Sequence, residues 1–257
     1  MPKKMDEVFG LQEVREQRMP LFKALVAEFL GLVLLVFFGC GTANACARGL
    51  IDGRPLPPDF ITCVSLAFGL TIAGTAQAIG HISGGHINPA VTLGILVSGK
   101  LSLLRGVLYM IAQFLGGIVG AALLKAVVPD AADWPQNHLG ANGLQTGVQA
   151  YQGMIVEAMV TFILVLVVYG CCDSRRDDVK GSIPLAIGLT VTLSHLLSIG
   201  FTGAGLNPAR TLGPAILTGK FDDLWVYFVG PFLGAAIAGI LYTVLFKHVR
   251  PVPSEDF

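Results

Sequence analysis

One stretch of this chain is written twice. His86-Ile87-Asn88-Pro89-Ala90-Val91-Thr92-Leu93-Gly94 returns as Gly205-Leu206-Asn207-Pro208-Ala209-Arg210-Thr211-Leu212-Gly213, each copy set between long apolar runs. Asn is a good helix N-cap and Pro is favoured at the first helical position, so both copies mark helix starts. A helix that starts at membrane depth leaves backbone donors without partners. That is tolerated only where the backbone is buried in protein or lines a cavity. Two such starts at matching places in two halves point to a transport site.

The membrane setting follows from composition. The chain is 53% hydrophobic and only 13% charged, about half the charged share of a soluble domain. No basic surface suited to nucleic acid is present. Six runs are long and apolar enough to cross a bilayer: 22–47, 60–80, 102–127, 153–172, 183–200 and 223–247. Segments of about 10–14 residues begin at each Asn-Pro-Ala, a length that suits re-entrant half-helices. The expected fold is an all-α integral membrane protein of six helices and two half-helices. The channel body covers 22–247, with repeat one at 22–127, repeat two at 153–247 and a connecting loop at 128–152. Residues 1–21 and 248–257 flank it as terminal segments.

The duplication reaches past the motif. Leu66-Ala67-Phe68-Gly69-Leu70-Thr71-Ile72 matches Leu185-Ala186-Ile187-Gly188-Leu189-Thr190-Val191 in the same register as the Asn pair. Phe114-Leu115-Gly116 matches Phe232-Leu233-Gly234 with one residue deleted, and Ala27-Glu28 corresponds to Val156-Glu157. Each half holds three spans. Because three is odd, the second half enters from the opposite side, which makes a 3+3 inverted repeat. The half-helices then enter from opposite faces, and Asn88 and Asn207 meet near the midplane.

Lys and Arg set the orientation. Lys3, Lys4, Arg15, Arg18, Lys23, Lys100, Arg105, Arg175, Arg176, Lys180, Lys247 and Arg250 fall on one side; Arg48, Arg54, Lys125, Arg210 and Lys220 fall on the other. Twelve against five places both termini in the cytoplasm. No cleavable signal pattern precedes the first span, which is expected to serve as the targeting element. The five cysteines show no metal-ligand spacing and read mainly as small packing residues. Cys46 and Cys63 fall near the outer ends of adjacent spans, so a disulfide between them is open, but nothing in the sequence supports it. No metal or cofactor is expected. No Asn-x-Ser/Thr acceptor occurs, so no N-glycan is expected.

Several polar residues resist explanation as packing. Asn88 and Asn207 are expected to cap their half-helices and to present amide donors to the midplane. Each helix N-terminus adds roughly half a positive charge. That combination suits a neutral hydrogen-bond acceptor and opposes cations. Arg210 breaks the repeat, since its counterpart is Val91. A membrane-depth guanidinium is costly, so a role toward the permeant is expected. His195, opposite Ala76 in the repeat, is a second break. Glu28 and Glu157 recur in both halves and are expected to accept bonds from the free N–H groups of the non-helical loops; a proton-relay role is the alternative. His81 and His86 fit either vestibule lining or loop support. We group His86 with the lining and His81 with the support.

With Gly80-His81-Ile82-Ser83-Gly84-Gly85-His86-Ile87-Asn88-Pro89-Ala90 and Asn207-Pro208-Ala209-Arg210 in view, the chain resembles the aquaporin (major intrinsic protein) family over residues 22–247. The resemblance implies a right-handed bundle of six tilted helices with two half-helices, assembled as a homotetramer with one pore per protomer. It implies an aromatic/arginine filter at Phe68, His195, Ala204 and Arg210. Phe68 with His195 is the pairing of water-selective members. Glycerol-conducting members usually carry a small residue in place of His195, and Asp where this chain has Thr211. Ala204 departs from similar water channels, several of which have a mercurial-sensitive cysteine there. The same resemblance implies a pore lined by Leu35, Ile72, Val91, Leu164, Val191 and Leu206.

The expected function is a passive water channel in the cell membrane, with water as permeant and lipid as surroundings. Three rivals stay open: a glycerol or small-solute facilitator, an adhesive or junctional protein using loops 48–59 and 128–152, and a proton-coupled transporter using Glu28 and Glu157. An enzyme is not expected, because no nucleophile, metal or phosphate constellation occurs. Ser174, beside Arg175 and Arg176, is read as a residue of a solvated loop, with phosphorylation as the alternative.

Overall fold

Several helix starts along this chain are set by capping side chains. Ser102 Oγ accepts from Arg105 N at 3.3 Å, and Ser182 Oγ accepts from Leu185 N at 3.3 Å. Gln149 and Gln152 cap one another reciprocally. The structure, a computed structural model, describes residues 8–10, 13, 16–47, 58–129, 138–176, 178 and 181–246. Among these, the elements are helical: α1 (Arg18–Cys46), α2 (Pro58–Ser83), half-helix α3 (Pro89–Val97), α4 (Leu103–Val127), α5 (Ala150–Cys171), α6 (Ile183–Thr202), half-helix α7 (Pro208–Thr218) and α8 (Val226–Phe246). The six longer helices are long and apolar enough to cross a membrane.

The expected boundaries shift where caps act. The fourth span begins at Ala150 rather than 153, because the Gln149–Gln152 box sets its start. The second runs on to Ser83 and the fifth to Thr202, where Gly203 at φ +71° stops it. The first half-helix is 9 residues, slightly short of expectation, since the chain turns at Ser98 and Gly99 (φ +69°). Lys3, Lys4, Arg15, Arg48, Arg54, Lys180, Lys247, Arg250, Pro135, most of loop 48–59 and the tail 248–257 lie outside the described residues.

The inverted repeat is visible in the packing. Helix α1 lies on α4 as α5 lies on α8; α2 crosses α6; α3 packs on α8 as α7 packs on α4. Each half-helix is therefore held by the last helix of the other repeat. Small residues make these contacts possible. A methyl on Gly69 would come within 2.5 Å of the Gly188 carbonyl, and one on Gly188 would collide with that of Gly69, so α2 and α6 touch backbone to backbone.

Polarity is inside out relative to a soluble protein. Leu70, Leu115, Ile155, Leu193 and Ile237 are exposed on the outer faces, while Glu28, Gln113, Glu157, His195 and Arg210 are buried. Such a surface needs lipid, and such an interior needs internal hydrogen bonds.

Candidate functional site

The two non-helical loops have matching backbones. Gly84, Gly85 and Ile87 have positive φ, and so do their counterparts Gly203, Ala204 and Leu206. Three left-handed residues in four turn the chain back sharply and leave its N–H groups facing inward. The buried carboxylates collect them. Glu28 Oε1 accepts from His86 N (2.9 Å) and Ser83 Oγ (2.6 Å), and Oε2 accepts from Ile87 N (2.7 Å) and Gln113 Nε2 (2.8 Å). Glu157 accepts from Gly205 N (2.8 Å), Leu206 N (2.7 Å) and Thr202 Oγ1 (2.6 Å). Tyr109 and Tyr227 donate to the carbonyls of Ser83 and Thr202, each at 2.8 Å. Neither tyrosine was singled out from the sequence, yet they stand at the spacing that relates Phe114 to Phe232, which was the available signal.

The Asn pair joins the halves. Asn88 Oδ1 accepts from Ala90 N at 2.8 Å, and Asn207 Oδ1 from Ala209 N (3.1 Å) and Arg210 N (3.2 Å). The amide nitrogens reach across: Asn88 Nδ2 donates to Leu206 O (3.0 Å), and Asn207 Nδ2 to Ile87 O (2.7 Å). Both amides were expected to present donors to the midplane. One hydrogen of each is used to lock the opposite loop, and one remains for an occupant of the midplane.

Phe68, His195 and Arg210 form a contiguous rim. The Phe68 and His195 rings stack with centroids 4.4 Å apart, and Arg210 Cζ lies 4.9 Å from the Phe68 centroid. His195 Nδ1 is 2.9 Å from Val191 O, and a carbonyl only accepts, so Nδ1 carries the hydrogen. In the neutral ring, Nε2 is then a bare acceptor, buried and without a partner among the described residues, as is the donor Nε of Arg210. Arg210 Nη1 is held by Gly140 O (2.8 Å) and Asn142 Oδ1 (2.7 Å).

Asn142 also accepts from Thr211 Oγ1 (2.9 Å) and donates to Gly203 O (2.8 Å). It thus anchors Arg210 and the second loop together. It lies in the connecting loop, where the sequence offered no periodicity to mark it. Replacing Asn142 with Ala leaves Thr211 and the Gly203 carbonyl short of partners and Arg210 with one anchor. We expect roughly fivefold faster leakage of small uncharged solutes, corresponding to about 1 kcal/mol. Osmotic re-swelling of proteoliposomes would measure it; an unchanged leak would show that Gly140 alone fixes the guanidinium.

A cavity of ≈ 240 Å³ runs past these groups. Leu35, Ile72, Val91, Leu164, Val191, Leu206 and His86 border it, as do both Asn residues and Phe68, His195 and Arg210. Ile95, Val168 and Ile187 also border it and were missed, although each stands one helical turn from a named lining residue. Cys172 borders the cavity as well, next to the C-terminal end of α5.

Two expected site residues sit elsewhere. Ala204 is fully buried and does not border the cavity; its backbone, at φ +58°, is tied by Thr202 Oγ1 (3.2 Å). His81 is exposed and does not border the cavity. Helix α2 continues to Ser83, and two residues along a helix is about 200° of rotation, so burying Ser83 turns His81 outward. Ser83, through Gly85 N at 3.0 Å, does the support expected of His81.

Beyond Cys172, Asp173 accepts from Arg175 and, at 2.9 Å, from Tyr242 Oη. The Arg175 guanidinium holds the Asp173 carboxyl well below the usual carboxylate range. Ser174 is exposed in that turn.

The Major intrinsic protein family model matches residues 15–242. Aquaporin-1 of Mus musculus is 49% identical over 221 residues, 86% of this chain and 81% of that protein. Aquaporin FA-CHIP of Pelophylax lessonae is 48% identical over 224 residues, with the same coverage of both chains. Among solved structures, the aquaglyceroporin from Plasmodium falciparum superposes with a TM-score of 0.76 at 25% identity, covering 88% of this chain and 97% of that one.

Proposed function

The chain belongs to the major intrinsic protein family, and from that membership and its pore geometry we propose that it is a passive, water-selective transmembrane channel. The observation that carries the reading is the rim, where the Phe68–His195 stack stands under Arg210. His195 Nε2 can accept from a passing molecule while Arg210 donates to it. Water satisfies both within a narrow opening. Glycerol would need the volume that the imidazole fills. Identity near one half to water-channel relatives points the same way.

Below the rim, water would pass an apolar wall, which binds it weakly and lets it move. At the midplane, the remaining amide hydrogens of Asn88 and Asn207 donate to its oxygen. Both hydrogens of that water then point away along the two halves, so it cannot relay a proton. The two half-helix N-termini and Arg210 add a positive barrier against protons and cations. Transport follows the osmotic gradient, with no chemical reaction catalysed.

We place the channel in the cell membrane with both termini cytoplasmic, from the Lys/Arg distribution, and assembled as a homotetramer surrounded by lipid. The rival within the fold is a glycerol facilitator, favoured by the aquaglyceroporin likeness. Stopped-flow light scattering on proteoliposomes separates them. A sucrose gradient should produce rapid shrinkage, and a glycerol gradient shrinkage without channel-dependent re-swelling. Wild-type re-swelling in glycerol would overturn the water-selective reading.

A further inference from the structure

Cys46 ends the regular helix of α1, and Cys63 stands near the start of α2, 17 residues later. Their Sγ atoms are 3.1 Å apart. Both are free thiols; Cys63 is exposed and Cys46 partly so. A disulfide needs its sulfurs at about 2.05 Å, so roughly 1 Å of approach, within reach of side-chain rotation, separates this pair from a bond. No other cysteine competes. Cys40 is fully buried, and Cys171 and Cys172 lie at the far end of α5, beside the turn that ties to α8.

The pair sits on a seam that reaches the filter. Phe68 follows Cys63 by five residues on α2. On α1, a Cβ added to Gly39 would come within 2.5 Å of the Phe68 ring. The contact between α1 and α2 therefore runs from the thiols down to the rim, at the end of the molecule where Asn142 and Gly140 hold Arg210.

We infer that Cys46 and Cys63 are a modification site: a thiol pair that closes to an intramolecular disulfide and staples α1 to α2 above the filter. The co-reactant is an external disulfide. One cysteine, as thiolate, attacks it and releases one thiol. The second cysteine then attacks the mixed disulfide and releases the other. Two S–H bonds are lost in the protein, two are gained by the reagent, and one S–S bond is exchanged for another. This inference does not depend on what the pore conducts.

Full-length protein purified in detergent is treated with oxidised glutathione, alkylated with N-ethylmaleimide, digested and analysed by mass spectrometry. The expected product is one peptide pair joined through Cys46 and Cys63, both protected from maleimide and both released by dithiothreitol. Reduction should lower the thermal midpoint of the oxidised protein by about 5–10 °C, with no such shift in Cys46→Ser or Cys63→Ser. Water permeability should differ less than twofold between the two forms. Maleimide on both cysteines after oxidation would overturn the proposal. So would persistent glutathione on Cys63, or a bond linking two copies of the chain.

Discussion

Replacing Glu157 with Ala should leave little folded channel to assay. The carboxylate is fully buried and accepts from Gly205 N, Leu206 N and Thr202 Oγ1, all within 2.8 Å. Removing it strands two backbone donors inside a water-poor interior. The Thr202 hydroxyl can still donate to Ser198 O, so at about 1–3 kcal/mol for each unsatisfied buried group the two stranded donors cost roughly 2–6 kcal/mol. Native proteins have only about 5–15 kcal/mol in total. The check is the monodisperse yield on size-exclusion chromatography, expected to fall at least about tenfold, with water permeability lost in proportion. Glu28→Ala should behave alike, since Glu28 also serves two loop N–H groups and adds Gln113. Glu157→Gln tests the relay alternative. Gln retains one acceptor oxygen but turns an NH₂ toward a donor, so the loop should still be destabilised. A stable Gln variant with normal water flux but lost proton-dependent transport would favour the proton-coupled reading instead.

His195→Ala should open the rim to glycerol. The imidazole stacks on Phe68 at 4.4 Å and carries the acceptor Nε2 beside the Arg210 guanidinium. Its loss widens the opening and removes the acceptor at once, while Arg210 keeps both anchors on Gly140 and Asn142. Helix α6 should persist, because Ala is a better helix former than His. Glycerol permeability is expected to rise at least about tenfold, corresponding to about 1.4 kcal/mol off the barrier, with water flux changed only a few-fold. Stopped-flow re-swelling under a glycerol gradient reads it directly. If the variant stays glycerol-tight, His195 does not set the width and Phe68 with Arg210 must. Adding Arg210→Val, which copies Val91 from the first repeat, should then admit cations, visible as collapse of an imposed pH gradient.

Much of this architecture was legible from composition and repetition. The six spans, both half-helix starts and the pairing of Glu28 with Glu157 follow from apolar run length, Asn-Pro and a constant offset. The lining residues Val91, Leu164 and Val191 came from resemblance, and their one-turn neighbours Ile95, Val168 and Ile187 needed only helical spacing to be added. Other positions were opaque for physical reasons. Asn142 lies in an irregular loop, where no period predicts where a side chain points. His81 was misplaced because α2 runs one turn farther than its apolar run suggests. That one hydrogen of each Asn amide is spent on the opposite loop was not legible, because sequence shows which atoms a residue has, not which are already bonded.

The chain by itself determined that it is an all-helical membrane protein built twice over and inverted, because bilayer thickness and helix capping act on residue type and spacing alone. Only the tertiary structure decided which polar groups face the cavity. Phe68, His195 and Arg210 come from three different helices, and Asn142 from a loop between the repeats. Whether their atoms meet depends on how closely α2 and α6 approach at Gly69 and Gly188, and on the left-handed turns that aim each loop inward. Those are contacts between segments far apart in the chain, on which local sequence preferences are silent.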